Sequence, residues 1–227
     1  MNRLQIWAAA FGLTILAILG CYFFADRPFA LFAHENFRPH REYFDLLTLI
    51  PEPFPVIAAL GAVALGIRSL TGRAMTRAQA VALVWSLSAL VATALNRQLK
   101  FAFGRTWPET WTNNNPSFIN DGVYTFNPFS GGAGYAAFPS GHVVAICVTM
   151  TVLWLCYPKL RALYAALVAL VVIGLIGANY HFLSDMIAGA FIGVSVGIFA
   201  VALWEAGGDR HLQPEKDRAA KTIRKKS

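Results

Sequence analysis

Six stretches of the sequence are almost wholly apolar, and each approaches the length that a helix needs to cross a membrane. A helix crosses the hydrocarbon layer of a bilayer with about 20 mostly apolar residues. These stretches take up most of the chain, so no second globular domain fits beside them. We therefore predict an all-α polytopic membrane protein whose six transmembrane helices form one bundle over residues 1–205. The predicted spans are residues 4–25, 54–67, 78–103, 140–157, 160–180 and 184–204.

The composition also favours a membrane protein over a soluble one. Apolar side chains make up 56% of the 227 residues and charged side chains only 14%, whereas a soluble domain carries about 25% charged residues. The three cysteines lie in apolar spans, so we expect neither a disulfide framework nor a metal cluster from them. The first span is interpreted as a retained anchor, because it lacks a small-x-small cleavage site. A cleaved signal peptide and a lipoprotein-like site at Cys21 are the alternatives.

The distribution of basic residues predicts which side of the membrane each connection occupies. With a cytoplasmic N-terminus, 13 of the 19 Lys and Arg residues lie inside and 6 outside. Cytoplasmic loops are enriched in Lys and Arg, so we predict that both termini face the cytoplasm in a bacterial inner membrane. Residues 206–227 then form a basic cytoplasmic tail, and residues 26–53, 104–139 and 181–185 face outward. The net charge of +7 follows from this topology, so we expect membrane lipids as partners and no nucleic acid.

The two long outer connections differ in character. Residues 26–53 mix aromatic, aliphatic and charged side chains, a pattern typical of one or two amphipathic helices at the membrane interface. Such a segment could guide a lipid toward a site or only cover the end of the bundle, and both interpretations remain open. Residues 104–139 contain Asn-rich and Gly-rich turn sequences. A long connection without secondary structure is usually functional or disordered.

Ionisable residues from distant parts of the sequence converge on the predicted outer face. His181 and Asp185 are spaced i, i+4, so the carboxylate could hold one ring nitrogen and leave the other free. Ser140 stands where it would cap a helix, which is a suitable site for an anion. Each residue also has a plain interpretation, as a helix cap or a boundary charge. The group predicts one polar pocket, and its members are Lys100, Arg105, Ser140, Gly141, His142, His181 and Asp185.

Asp185 precedes a stripe of glycines at intervals of four residues, namely Gly189, Gly193 and Gly197. Small residues with this spacing are typical of close helix–helix contacts in membranes. We therefore expect Asp185 to face the interior of the bundle.

Three motifs in this part of the chain resemble the type 2 phosphatidic acid phosphatase superfamily. The pattern of that family is Lys-x6-Arg-Pro, then Pro-Ser-Gly-His, then Ser-Arg-x5-His-x3-Asp. The resemblance extends over about residues 95–190 and includes the layout of six helices. The matching residues run in the same order, from Lys100 to Pro108, from Pro139 to His142 and from His181 to Asp185.

The resemblance implies a role for each residue. His181 would be the nucleophile that takes the phosphoryl group, and Asp185 would hold its tautomer. His142 would protonate the leaving alkoxide. No metal and no other cofactor would be needed. The phosphate oxygens would be held by Lys100, Arg105, Ser140 and backbone N–H groups near Gly141.

Two positions depart from the family pattern. Trp107 stands where the first motif has arginine, and Gly174-Leu175 stands where the third has Ser-Arg. Two guanidinium groups that would bind phosphate are therefore missing from their expected places. Arg105, two positions before Trp107, and Arg97, three positions before Lys100, are the candidate substitutes.

The sequence thus predicts a membrane phosphatase that hydrolyses the phosphate monoester or terminal phosphate of a lipid at the outer face, through a phosphohistidine. The alternatives are a non-catalytic member that binds lipid or a partner, a lipid phosphotransferase, and a metal-dependent hydrolase or transporter. Phosphatidic acid, phosphatidylglycerol phosphate, undecaprenyl pyrophosphate and a lipid A phosphate all fit as substrates. The sequence assigns neither the lipid nor the oligomeric state.

Overall fold

A computed structural model describes residues 2–111 and 114–207, and every regular element in these residues is a helix, as predicted. The predicted basic tail, residues 206–227, lies outside the described residues from residue 208 onward. The helices are α1 (Arg3–Gly20), α2 (Asp26–Phe37), α3 (Arg41–Thr48), α4 (Phe54–Leu70), α5 (Arg77–Phe103), α6 (Phe118–Asp121), α7 (Gly141–Cys156), α8 (Arg161–Gly177) and α9 (Leu183–Ala206).

Each of the six predicted spans contains a helix, but only four helical stretches among the described residues are long and apolar enough to cross a bilayer by themselves. These are Leu4–Thr48, Arg77–Phe103, Pro158–Gly177 and Leu183–Ala206. Helices α4 and α7 are apolar but shorter. The four long helices support an integral membrane protein, and a count of six spans stays a prediction.

The first long stretch continues beyond its predicted end. One turn of π-helix, Cys21–Ala25, joins α1 directly to α2. A short 3₁₀ turn, Arg38–His40, then leads into α3. The predicted amphipathic segment therefore does consist of two helices, and α2 buries Asp26, Ala30 and Ala33.

Helix α7 lies at the centre of the bundle and packs closely against α9. A Cβ atom added at Gly193 would lie 2.7 Å from the Cβ of Cys147, and one added at Gly197 would lie 2.8 Å from the Cβ of Thr151. Only glycine permits backbones to approach this closely. The predicted glycine stripe is thus a close helix contact, and it places Asp185, which is fully buried, inside the bundle.

The long connection between α5 and α7 is folded onto the bundle end through backbone hydrogen bonds. It begins at Gly104, whose left-handed φ of 58° ends α5 and whose absent side chain leaves room for the Asn127 carbonyl. The N–H of Asn127 donates to the Gly104 carbonyl at 2.8 Å, and the N–H of Ala137 donates to the Arg105 carbonyl at 3.1 Å. Much of the connection for which the sequence predicts no secondary structure is therefore ordered.

Candidate active site

A pocket of about 250 Å³ lies where α5, α7 and the connection between α8 and α9 meet. It is bounded also by the residues just before α4, including Glu52. The remaining polar or aromatic residues that line it are Thr93, Asn96, Lys100, Trp107, His142 and His181, together with the backbone of Gly141. The structure thus gathers part of the predicted group into one cavity.

His181 lies in the short connection before α9 and is only 5% exposed. Its Nδ1 atom is 3.5 Å from Oδ2 of Asp185, which is ion-pair range but longer than an ordinary hydrogen bond. The Phe182 N–H donates to the same oxygen at 2.9 Å and so fixes the carboxylate. Asp185 approaches the ring at Nδ1, and His181 also lines the pocket.

The surroundings of His181 keep its ring neutral near pH 7. Burial lowers the pKa of His181, and Asp185 opposes that change only in part, while the positive charge of Lys100 adds to it. A neutral imidazole retains the lone pair that a nucleophile needs.

The second histidine of the pocket stands at the start of α7. The centroid of the His142 ring lies 6.1 Å from that of His181. Ser140 caps the helix by accepting a hydrogen bond from the Val143 N–H at 3.5 Å. Gly141 and His142 line the pocket, so the start of α7 borders it, and the start of a helix is a place where anions bind. Ser140 itself is fully buried behind the pocket wall.

Lys100, in the last turn of α5, supplies a positive charge to the pocket. Its ammonium group donates to the Ala136 carbonyl and lies 5.6 Å from the centroid of the Trp107 ring. One turn earlier, Asn96 is buried and its amide donates to the Pro139 carbonyl at 3.1 Å. This bond ties α5 to the segment that begins α7.

Trp107 lines the pocket with an aromatic ring, at the position where the first motif has arginine. It is 6% exposed, and its indole N–H donates to the Ala133 carbonyl at 2.7 Å. Its ring lies 5.1 Å from His181 and 4.9 Å from Trp111, centroid to centroid. Nothing polar is presented to the pocket from this position, because the one indole donor is already used.

The second missing arginine is replaced by apolar packing. Leu175 is fully buried in a core cluster with Val143 and Met186. At the neighbouring Gly174, an added Cβ would lie 2.7 Å from the Cβ of Leu47 and 2.9 Å from the Phe44 carbonyl oxygen. Helix α3 therefore presses directly against α8 at this position.

Neither candidate substitute faces the pocket. Arg97 is exposed and does not line the cavity. Arg105 is 1% exposed and also lies outside the lining, because its guanidinium is held by Asp26 and Asp185. The expectation that Arg105 reaches the phosphate beside Lys100 is at odds with this placement, and the geometry favours a role behind Asp185.

Sequence reasoning missed three residues of this region. Asp26 was included only in an interfacial segment, although a carboxylate at the end of an apolar span is a signal of burial with a partner. Asn96 had a similar signal, as an amide one turn before Lys100 in an apolar helix. Glu52, an exposed carboxylate at the rim of the pocket, had none.

The described residues contain no cluster of metal-ligating side chains. Within residues 2–111 and 114–207, no three His, Cys, Asp or Glu side chains are grouped as a metal site would require. All three cysteines are free thiols.

Comparison with known proteins identifies a family for this chain. The sequence model of the PAP2 superfamily matches residues 79–208, more than half of the chain. The chain belongs to the PAP2 superfamily. Two curated relatives are named lipid A 1-phosphatase, from Rhizobium etli and from Rhizobium johnstonii, and each is 30% identical over 125 residues. That alignment covers 53% of this chain and 51% and 48% of the relatives, so it spans about half the length of the curated relatives.

No solved structure gave a significant match. The family match and the apolar helices together support an integral membrane protein of the PAP2 superfamily.

Proposed function

We propose that this PAP2 protein hydrolyses the phosphate monoester or terminal phosphate of a lipid, through a phosphohistidine at His181, on the outer face of the cytoplasmic membrane. The observation that carries the proposal is the buried pair of His181 and Asp185, which faces His142 across a pocket that also contains Lys100. A nucleophile, its orienting carboxylate, a proton donor and a cation are the parts that phosphoryl transfer requires.

The proposed reaction has two displacements. Nε2 of His181 forms a bond to phosphorus while the bond from phosphorus to the lipid oxygen breaks, and His142 donates a proton to that oxygen. A water molecule then gives a proton to His142 and attacks phosphorus. The bond from phosphorus to nitrogen breaks, its electron pair returns to His181, and inorganic phosphate leaves.

Charge on the transferring group is balanced in this scheme by Lys100 and by the backbone N–H groups at the start of α7. Asp185 supports the positive charge that develops on the His181 ring. Trp107 excludes water from one side of the nucleophile, because its buried ring packs beside His181.

The substrate class is proposed from the relatives. Since two curated relatives are named lipid A 1-phosphatase, a lipid A phosphate is the first substrate to test. Phosphatidic acid, phosphatidylglycerol phosphate and undecaprenyl pyrophosphate complete the panel.

The test is phosphate release by the purified full-length protein in detergent, with a chelator present. We expect release from at least one lipid and an acid-labile phosphoenzyme that is absent from His181→Ala. Release without any phosphoenzyme in rapid-quench experiments would contradict the phosphohistidine, and loss of turnover on chelation would favour a metal-dependent hydrolase.

One observation favours a second candidate. Among the described residues that line the pocket, Lys100 is the sole Lys or Arg, and Glu52 is a carboxylate at the rim. A member of the family that binds lipid without turnover would tolerate this loss of guanidinium groups. Lipid binding by a folded protein that releases no phosphate from any of the four lipids would favour that candidate.

A further inference from the structure

A buried network of charges lies directly behind the proposed nucleophile. Arg105 donates through one terminal nitrogen to Asp185 and through the other to Oδ2 of Asp26, the latter at 2.8 Å. All three side chains are at most 1% exposed. Asp26 belongs to α2 and lies outside residues 79–208, so the family match does not include it.

Both carboxylate oxygens of Asp26 accept hydrogen bonds. The backbone N–H of Ser184 donates to its Oδ1 at 3.0 Å, and the Ser184 hydroxyl donates to its Oδ2. The Tyr124 hydroxyl donates to Oδ2 at 3.1 Å. Because Ser184 immediately precedes Asp185, these bonds fix the first turn of α9 against α2.

Arg105 remains charged in this network. Burial by itself lowers the pKa of Arg105, but the carboxylates of Asp185 and Asp26 reverse that effect and raise it. Aromatic rings surround the guanidinium, with the Phe182 centroid 4.4 Å and the Phe126 centroid 5.0 Å from its central carbon. Aromatic faces stabilise such a cation.

The net charge of the network indicates a role for Asp26 in catalysis. Two carboxylates and one guanidinium leave the network with one net negative charge beside His181. Without Asp26 the network would be neutral, and the positive charge of Arg105 would offset Asp185 in full. Asp185 would then support a positive His181 ring less well.

We propose that Asp26 and Arg105 are positioning residues: Arg105 holds Asp185 against His181, and Asp26 holds Arg105 while preserving the negative charge that the phosphohistidine needs. This inference rests on the proposed function of His181. It extends the working site beyond the family motifs to a residue of α2.

The pH dependence of kcat/KM distinguishes this role from a purely structural one. The charged or titratable groups that face His181 are Asp185, Lys100 and His142, with Glu52 at the rim of the same pocket, and none of them is altered in the variants. The acid limb is the part of the profile in which kcat/KM rises as His181 loses its proton. Asp26→Asn removes a negative charge, so it should lower the pKa of His181 and move the acid limb to lower pH. Arg105→Gln removes a positive charge, so the acid limb should move to higher pH. The substrate ionises identically in each assay, so the difference belongs to the protein.

The rates should change as well. At metal sites, partners that orient a ligating histidine from behind contribute about 10-fold to 100-fold, and we take the same scale for this histidine. We expect Asp26→Asn to lose that much in kcat with little change in KM. Glu109→Gln is the matched control, because Glu109 is a buried carboxylate that contacts His34, Arg41 and Asn179. It should leave the acid limb in place.

The double variant Asp26→Asn/Arg105→Gln covers the case in which a single variant fails to fold. It removes one charge of each sign, so its acid limb should coincide with that of the wild type while kcat remains low. Acid limbs that stay fixed, or that move in the same direction in both single variants, would overturn the proposal while leaving the phosphatase intact. A folded wild type that releases no phosphate from any lipid of the panel overturns the proposed function, and this inference with it.

Discussion

The contact between α7 and α9 sets the position of the proposed proton donor relative to the nucleophile, and Gly189→Ala tests this directly. A Cβ added at Gly189 would lie 2.7 Å from the Ser140 carbonyl oxygen, whereas ordinary contact begins at 3.4 Å. The obstructing oxygen accepts a helical hydrogen bond from the Val144 N–H, so it cannot turn away. The two helix ends must therefore separate by about 0.7 Å.

This displacement is large for an active site. A misplacement of about 1 Å can cost about 100-fold in rate, so we expect Gly189→Ala to lose at least about tenfold in kcat. Overpacking a helix contact typically costs about 1–3 kcal/mol of stability, which the better helix propensity of alanine offsets by about 1 kcal/mol. The protein should fold, with a modest loss in thermal stability.

Gly197→Ala is the matched control, since an added Cβ there would lie 2.8 Å from the Cβ of Thr151. It makes a similar clash in the same contact, about 12 Å farther along the helix. Its stability should fall by a similar amount, and its kcat should stay near that of the wild type. Phosphate release and thermal unfolding in the same detergent measure both quantities. Equal losses of kcat in the two variants, or none in either, would refute the argument.

Three further predictions follow from the site and the topology. His181→Ala should abolish turnover. His142→Ala should lose about 100-fold to 10,000-fold in rate on a lipid, as expected for a missing general acid, and should recover part of that rate on an activated aryl phosphate. Equal losses of rate on both substrates would contradict separate roles. Burial lowers the pKa of His181, so its ring stays neutral at pH values below 6.5, the ordinary pKa of histidine. The acid limb of kcat/KM should therefore lie under pH 6.5, when it is measured with a substrate that ionises well below that pH. A cysteine introduced at Asn114 should react with an impermeant reagent in intact cells while one at Ser227 should not, and the reverse labelling would place the site on the cytoplasmic side.

The sequence was sufficient to predict features that depend on local spacing. Glycines at intervals of four follow Asp185 in α9, so helical periodicity alone assigns the face that they share with Asp185. The spacing of four residues between His181 and Asp185 also predicted their proximity, although His181 lies just before the helix. Helical segments follow from apolar runs of sufficient length in the same way. The catalytic roles of these residues stay predictions.

Features that depend on contacts between distant parts of the chain could not be predicted. Asp26 and Arg105 are 79 positions apart, and no periodicity links them. Two residues before Trp107, Arg105 looked like a substitute for the missing arginine. The described part of residues 104–139 turns its side chain toward α2 and α9 instead, where Arg105 pairs with two buried carboxylates.

The N-terminal region completes the site that the family motifs begin. Residues 79–208 match the PAP2 superfamily, yet α2 and α3 precede that match and both touch its functional parts. Helix α2 brings Asp26 to Arg105. Helix α3 fills the space beside Gly174, where the family motif has serine, so that Leu175 sits in an apolar core in place of an arginine. In the proposed mechanism, a site that lacks two guanidinium groups has its phosphate charge balanced by Lys100 and the α7 N-terminus. The proposed nucleophile is then supported from behind by a network that starts outside the family motifs.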